Sequence, residues 1–183
     1  MHHLINILKR ISLALLMAAT LSQLSSAAEV EEILWEDLIP EDYNPDLLYQ
    51  QYQKDYDIDN LPDDDPKVAE LMTKLRAMMQ SSPIRQELND KQVKLPGYVL
   101  PLETDGIKAT EFLLVPYYGA CIHEPPPPLN QTVYVRMKDN QGAKIRRLFD
   151  TVWVTGVISS EKVSSELADA GYLITATKVE PFE

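Results

Sequence analysis

The chain has 183 residues, and 28 acidic against 17 basic residues give it a formal charge of −11. An acidic surface of this strength repels phosphate backbones and anionic lipid, so we exclude nucleic acid as a partner and expect cations or basic protein surfaces instead. The single cysteine excludes an internal disulfide. The length suits one ordinary domain.

Residues 1–28 predict a signal peptide. Two basic residues precede an apolar run over positions 11–21, and small residues follow up to Ala27 and Ala28. This order is typical of a secretory signal, with cleavage after either alanine. An uncleaved anchor is the alternative, although the run is shorter than the roughly 20 residues that span a bilayer. Cleavage changes the charge to −13. We therefore expect a periplasmic protein with no stable membrane insertion after cleavage.

Residues 29–65 form an acidic, aromatic-containing segment, called the acidic arm below. We expect Trp35 to anchor it on the rest of the protein, and its tyrosines suggest a short helix packed on that body. The run from Asp55 to Asn60 resembles the start of an EF-hand loop. The required glycine is Asn60, however, and the bidentate glutamate is Pro66, so we predict a solvated linker, with a weak calcium site as the alternative.

Residues 66–183 begin with the clearest predicted helix. Asp65 suits the N-cap and Pro66 the first helical position. Apolar residues then recur at i, i+3 and i+4 as far as Met79, and Ser-Ser-Pro ends the pattern at 81–83. We interpret the methionines on this face as core residues rather than soft metal ligands.

Five strands follow, and the whole is predicted to be a strand-rich α+β fold. They cover 93–102, 111–117, 132–137, 151–158 and 172–180, with Gly97 and Gly156 as bulges or sharp bends and a short helix over 161–170 capped by Ser160. Such a set forms a small antiparallel barrel or sandwich preceded by the amphipathic helix, and an OB-like barrel is one of these arrangements.

A small basic island lies at Arg146-Arg147. We interpret it as an exposed turn before a strand. Docking to an acidic partner is the alternative.

The segment from Gly119 to Glu124, which runs into four prolines, carries the most distinctive chemistry. Cys121 and His123 are separated by one residue, so in an extended backbone both side chains point to one side. Thiolate and imidazole together suit zinc or copper. Two ligands do not complete a site, so Glu124, Glu111 or a second chain must contribute. The alternative is a loop held by a half-buried cysteine and a hydrogen-bonded histidine.

Nucleophilic catalysis by Cys121 and His123 is a rival interpretation. It needs a third group to orient the imidazole, and none is evident, while thiol oxidoreductases generally use two cysteines. We therefore expect a protein without catalytic activity and keep thiol chemistry as the weakest alternative.

Two longer motifs carry a family resemblance. Residues 94–102 read Lys-Leu-Pro-Gly-Tyr-Val-Leu-Pro-Leu, and residues 112–123 lead through the prolines to Asn130-Gln131. With Trp35–Leu38 and the last strands to residue 181, this pattern resembles a family of bacterial exported proteins known mainly as a domain of unknown function. The match covers about residues 90–181.

The resemblance implies a role and a site. Members are periplasmic or lipid-anchored, are often encoded beside an ABC transporter, and in some gene groups are tied to zinc supply. It implies that Cys121 and His123 act as a pair framed by the prolines and Asn130, whereas Glu124 stands where an apolar residue is expected. We thus predict a periplasmic accessory protein of an ABC transport system that binds zinc weakly through Cys121, His123 and Glu124. Its partner would be the transporter or an exported lipoprotein component. A protein-docking module that uses the same loop is the alternative function.

Overall fold

The computed structural model describes residues 29–62, 64–105, 108–120 and 127–182. The predicted signal peptide therefore lies outside the described residues. Within them the chain forms helices α1 (Pro45–Tyr56) and α2 (Pro66–Gln80) and strands β1 (Glu31–Glu32), β2 (Gln92–Asp105), β3 (Lys108–Val115), β4 (Val133–Met137), β5 (Ala143–Lys144), β6 (Thr151–Ser159), β7 (Val163–Ser164), β8 (Asp169–Ala170) and β9 (Tyr172–Pro181). Short 3₁₀ turns connect several of them.

Five strands close into a barrel. The order is β2-β6-β9-β4-β3, and β3 pairs back with β2. Every pairing in this ring is antiparallel except β4 with β9, which is parallel. Numbered along the chain, the barrel strands follow the order one-four-five-three-two, which is the strand order of an OB-type barrel. The predicted strand-rich barrel is confirmed, and its five strands correspond to the five segments that the sequence predicts.

Burial alternates along β6 and along β2 as far as Val99. In β6, alternate residues from Val152 to Ile158 are buried and the intervening ones are half-exposed. The inward side chains form one apolar cluster that includes Val93, Phe112 and Ile174. A smaller second cluster, which includes Leu113 and Tyr134, lies outside the barrel wall and is covered by neighbouring loops. The candidate site described below lies beside this outer cluster.

The two glycines predicted to bend strands differ in their roles. The β6–β9 register shifts between Thr155 and Gly156, so Gly156 marks a bulge as predicted. The β2–β6 register is continuous through Gly97. A Cβ atom at Gly97 would lie 2.9 Å from the Trp35 ring. Of the two alternatives predicted at Gly97, a bulge or a sharp bend, the continuous register excludes the bulge. This glycine makes room for an aromatic side chain.

The acidic arm begins against the barrel. Strand β1 pairs with β2, and Ile33 and Leu38 are buried in the core. Trp35 donates a hydrogen bond from Nε1 to the Pro96 carbonyl oxygen at 2.7 Å, so it is the anchor that the sequence predicts. Helix α1 follows, but it leaves Leu47 exposed.

Helix α2 begins as predicted. The Asp65 carboxylate accepts the Lys67 N–H at 2.9 Å, and Pro66 is the first helical residue. Its apolar face is only partly covered, because Leu71 is buried while Met72 is 50% exposed and Met78 and Met79 are half-buried. The expectation that the methionine stripe is core is wrong for Met72, since neither core cluster reaches it.

The short helix predicted over 161–170 is wrong. Strands β7 and β8 form a hairpin there instead. The Ser165 hydroxyl oxygen accepts the N–H groups of Leu167 and Ala168, which closes a tight turn, and Lys162 pairs with Asp169 across the hairpin at 2.8 Å. The predicted cap, Ser160, donates its hydroxyl to the Arg85 carbonyl oxygen. Local side-chain bonds therefore outcompete the helix.

Among the described residues, no helix is long and apolar enough to cross a membrane.

Candidate functional site

The predicted metal ligands Cys121, His123 and Glu124 lie in residues 121–126, outside the described residues. The chain on either side of them is described. Two anchors, one before and one after this segment, show where it starts and ends on the barrel.

The anchor before the segment is apolar. Ala120 is buried in the outer cluster, where Leu113, Tyr134 and Phe149 also lie. Its N–H donates to the Tyr117 carbonyl oxygen. Gly119 has a φ of 86°, a conformation that glycine adopts without steric cost. The chain thus enters the Cys-Ile-His segment from a packed turn.

The anchor after the segment is polar. Pro127 and Asn130 are buried, and the Asn130 amide donates to the Pro83 carbonyl oxygen at 2.9 Å. Gln131 donates its side-chain amide to the Trp35 carbonyl oxygen at 2.8 Å. The N–H of Gly171 donates to the carbonyl oxygens of Leu129 and Thr132. These bonds join the exit of the segment to the acidic arm, to the residues after α2 and to β9.

Two clefts flank the β7–β8 hairpin on this side of the barrel. One, lined in part by Pro127, Leu129 and Ser165, encloses about 210 Å³. The other encloses about 350 Å³ and lies between the hairpin and the barrel wall, where Glu111 and Tyr134 line it. Pro127, after the Cys-Ile-His segment, lines the smaller cleft. Ala120, before the segment, packs in the same cluster as Tyr134, which lines the larger cleft. Both anchors therefore lie near these clefts.

A charged network forms the wall of the larger cleft. The Tyr134 hydroxyl donates to Oε2 of Glu111, and Arg136 donates from Nε to Oε1 at 2.6 Å. Glu111 and Arg136 are direct cross-strand partners. Burial acts to raise the pKa of Glu111, but the Tyr134 and Arg136 bonds outweigh it and hold that pKa below its usual range. Burial and the Glu111 carboxylate raise the pKa of Tyr134 to about 12.

This network changes the predicted role of Glu111. Each of its oxygens already accepts a charge-assisted or phenolic hydrogen bond, so a metal ion at Glu111 would have to share the carboxylate with Tyr134 and Arg136. Among the described residues, no group of three or more His, Cys, Asp or Glu side chains is placed to hold a metal ion.

We expect Glu111→Gln to lower the free energy of unfolding by about 1–3 kcal/mol at pH 7, because Tyr134 and Arg136 lose a charged acceptor. The pKa of Glu111 is lower in the folded state than in the unfolded state, where it is about 4.3. The stabilisation that the Glu111 carboxylate gives the fold is therefore complete above the unfolded-state pKa, and it is lost as the pH falls through the folded-state pKa. Urea unfolding at pH 7 and pH 3 measures this. The exposed control Glu161→Gln should change little, and an equal loss for Glu111→Gln at both pH values would contradict the prediction.

The EF-hand-like run forms a turn. Asp57 has a φ of 48° and ends α1, and its Oδ1 accepts the Asn60 side-chain amide at 2.9 Å. The acidic run therefore ends helix α1, which agrees with its interpretation as a linker between two helices.

Sequence reasoning did not find the Tyr134–Arg136–Glu111 network as a unit. The sequence places Tyr134 and Arg136 at alternate positions of one predicted strand and Glu111 in another, and no other pattern pointed to the network. The pairing register that brings them together is a tertiary property.

Among solved structures, a DUF3299 family protein (PA4066) from Pseudomonas aeruginosa PAO1 matches at 38% identity with a TM-score of 0.61. The match covers 85% of this chain and 97% of that chain. A protein assigned as an aspartyl-tRNA synthetase from Leishmania major Friedlin matches with a TM-score of 0.34 at 12% identity, over 58% of this chain and 19% of that one. That likeness carries no argument.

A search of curated proteins finds no match. The family model for DUF3299, described as a protein of unknown function, matches residues 35–181, which include Trp35, both anchors and the whole barrel. The chain therefore belongs to the DUF3299 family.

Proposed function

We propose that this chain is an exported accessory protein of an ABC transport system and that it binds Zn²⁺ weakly through Cys121, His123 and Glu124. The observation that carries the proposal is the Cys-Ile-His-Glu sequence between two anchored flanks. The signal peptide that the sequence predicts over residues 1–28 and the resemblance to exported proteins encoded beside ABC transporters support the cellular role.

The flanks favour binding because they reduce the entropy that a metal must overcome. Ala120 is packed before the segment, and Asn130 is hydrogen-bonded after it. Proline at positions 125–128 restricts the chain between them further. A segment whose ends are already ordered loses less freedom when its side chains converge on an ion.

The engagement of Glu111 favours weak rather than tight binding. Because Tyr134 and Arg136 already bond both oxygens of that carboxylate, we assign the remaining ligands to Glu124, water or a partner protein. A structural zinc site has four protein ligands, whereas a site with an open position exchanges its metal more readily. Such a site suits delivery to a transporter.

We expect the mature, reduced protein to bind Zn²⁺ with one ion per chain or per dimer, and Cys121→Ser/His123→Ala to weaken binding at least about tenfold. Native mass spectrometry with a Zn²⁺ titration measures both the number of ions bound per chain and the loss of affinity in the double variant. Glu166→Gln, which removes a carboxylate from the neighbouring clefts, is the matched control and should bind normally. Equal binding by the wild type and the double variant would exclude the site.

A non-catalytic docking module is the second candidate. The clefts on both sides of the β7–β8 hairpin favour it, because they adjoin the exit of the polyproline segment at Pro127. In that case, a transporter component would copurify in the presence of chelator and be lost with Pro126→Ala/Pro127→Ala.

A further inference from the structure

A second surface lies along the turn 146–150, apart from the β7–β8 clefts. Two adjoining clefts meet there, and Arg147 and Asp150 line both of them. We define the basic–aromatic surface by Lys144, Arg146, Arg147, Leu148 and Tyr118. It contains the basic island that sequence analysis singled out, and the proposed metal binding does not use it.

Three basic side chains share this surface with two carboxylates, Asp150 and Glu180, and Glu180 is already paired with Lys178 at 2.7 Å. Arg147 is 86% exposed in its side chain and reaches Asp150 at 3.5 Å. Across the described part of the chain, Lys144 and Arg146 have no ion-pair partner. Lys144 also lies directly opposite Lys108 in the β3–β5 pairing, an arrangement of like charges that destabilises a sheet. An anionic partner would relieve this repulsion.

Exposed apolar side chains border the charges. Leu148 is 54% exposed and Tyr118 is 73% exposed. The Tyr118 ring packs on Phe149 with centroids 4.8 Å apart. Phe149 has a φ of 61°, a strained conformation for a bulky residue, and its N–H is held by the Val99 carbonyl oxygen at 2.8 Å. Tyrosine and arginine are the residue types enriched at protein interfaces.

The turn is rigid before any partner binds. The Asp150 carboxylate accepts the N–H groups of Arg146 and Arg147 at 2.7 and 3.1 Å. Partial burial acts to raise the pKa of Asp150, but these two amides outweigh it, so the pKa lies below its usual range and the carboxylate stays charged. A preformed surface reduces the entropy cost of association.

The distribution of charge along the chain indicates the partner. The acidic arm carries 14 acidic residues and one lysine, whereas residues 66–183 carry equal numbers of acidic and basic residues. Nine of those acids fall in residues 41–65, beyond the part that packs on the barrel. Helix α1 lies in this stretch and leaves Leu47 63% exposed and Tyr49 exposed. Helix α1 itself carries Asp46, Asp55 and Lys54, and its flanks carry the other seven acids. An acidic segment with exposed apolar side chains therefore matches a basic surface with exposed apolar side chains.

We propose that the basic–aromatic surface binds helix α1 and its acidic flanks from a second copy of this chain. Each copy then donates one arm and one surface, which is a closed two-fold arrangement. Net repulsion between two acidic chains opposes this dimer, so the local attraction between arm and surface must outweigh it. Because exposed charges contribute much of the attraction, and charges further apart than about 8 Å are screened at physiological salt, the dimer is salt-sensitive.

Sedimentation velocity of the mature protein in chelator tests this without depending on the metal proposal. We expect a dimer in low salt whose Kd rises at least about tenfold in high salt. Arg146→Glu/Arg147→Glu and, separately, Asp42→Lys/Asp55→Lys should each sediment as monomers in low salt. Their equimolar mixture should form a heterodimer, since each reversed surface then meets a reversed arm and each native surface meets a native arm.

Two controls separate docking from general charge effects. Lys67→Glu/Arg76→Glu makes the same change in charge on the exposed side of α2 and should leave the dimer intact. Leu148→Ser changes no charge and should weaken the dimer. Circular dichroism melting confirms that each variant is folded. A wild type that is monomeric in low salt at high micromolar concentration, or a mixture that fails to form heterodimers, would overturn the proposal.

Discussion

Gly156→Ala should destabilise the protein by about 3 kcal/mol, the upper end of the usual cost of overpacking. A Cβ atom at this position would lie 2.3 Å from the Thr175 carbonyl oxygen and 2.7 Å from Cα of Ala176. Both atoms belong to the backbone of β9, so no side-chain rotation relieves the contact. Strand β9 would have to move away from β6 where the barrel already contains a bulge.

Thermal and urea unfolding measure the effect of Gly156→Ala. Thr155→Ala, at the neighbouring half-exposed position, is the control and should cost less than about 1 kcal/mol. A Gly156→Ala variant as stable as the control would show that the two strands separate more easily than the close approach implies.

Tyr172→Phe should lower the free energy of unfolding by about 2–4 kcal/mol, because it leaves two buried backbone groups without a partner. The Tyr172 hydroxyl donates to the Leu38 carbonyl oxygen and accepts the Arg85 N–H, each at 2.6 Å. Its side chain is fully buried, and burial raises its pKa. One hydroxyl thus joins the acidic arm, the residues after α2 and the first residue of β9.

Urea unfolding at pH 7 tests this, with the exposed Tyr49→Phe as the matched removal of a hydroxyl. We expect no measurable loss in the control. A Tyr172→Phe variant that unfolds at the wild-type urea concentration would mean that water or a local shift satisfies both backbone groups.

The location of Tyr172 also bears on the candidate site. Asn130, after the Cys-Ile-His segment, bonds to Pro83, two residues before Arg85. The Tyr172 hydroxyl and the Asn130 amide therefore hold neighbouring parts of the same connection between α2 and β2. Loss of either should loosen the exit of the proposed metal-binding segment as well as the fold.

The barrel strands could be predicted because their signal is local. In β6 the alternation of buried and half-exposed residues reports which face is buried, and β-branched residues dominate the strand. The start of α2 was equally local, since an N-cap acid and a proline at the first position act within one turn.

The hairpin at 163–170 could not be predicted in this way. Its residues favour a helix as well as a turn, and the outcome depends on the Ser165 bonds and the Lys162–Asp169 pair. The extent to which the methionine face of α2 is covered likewise depends on which elements pack against it.

Residue patterns alone predict the five strands, the first turn of α2, the Trp35 anchor and the candidate ligands Cys121 and His123, because periodicity and residue chemistry are properties of neighbouring residues. The folded chain is needed to see the order of strands in the barrel, the hydrogen bonds of Glu111 with Tyr134 and Arg136, and the contact of Tyr118 with the turn at 146–150. These features join residues far apart in the chain, so they depend on strand register and loop packing, which local patterns do not encode.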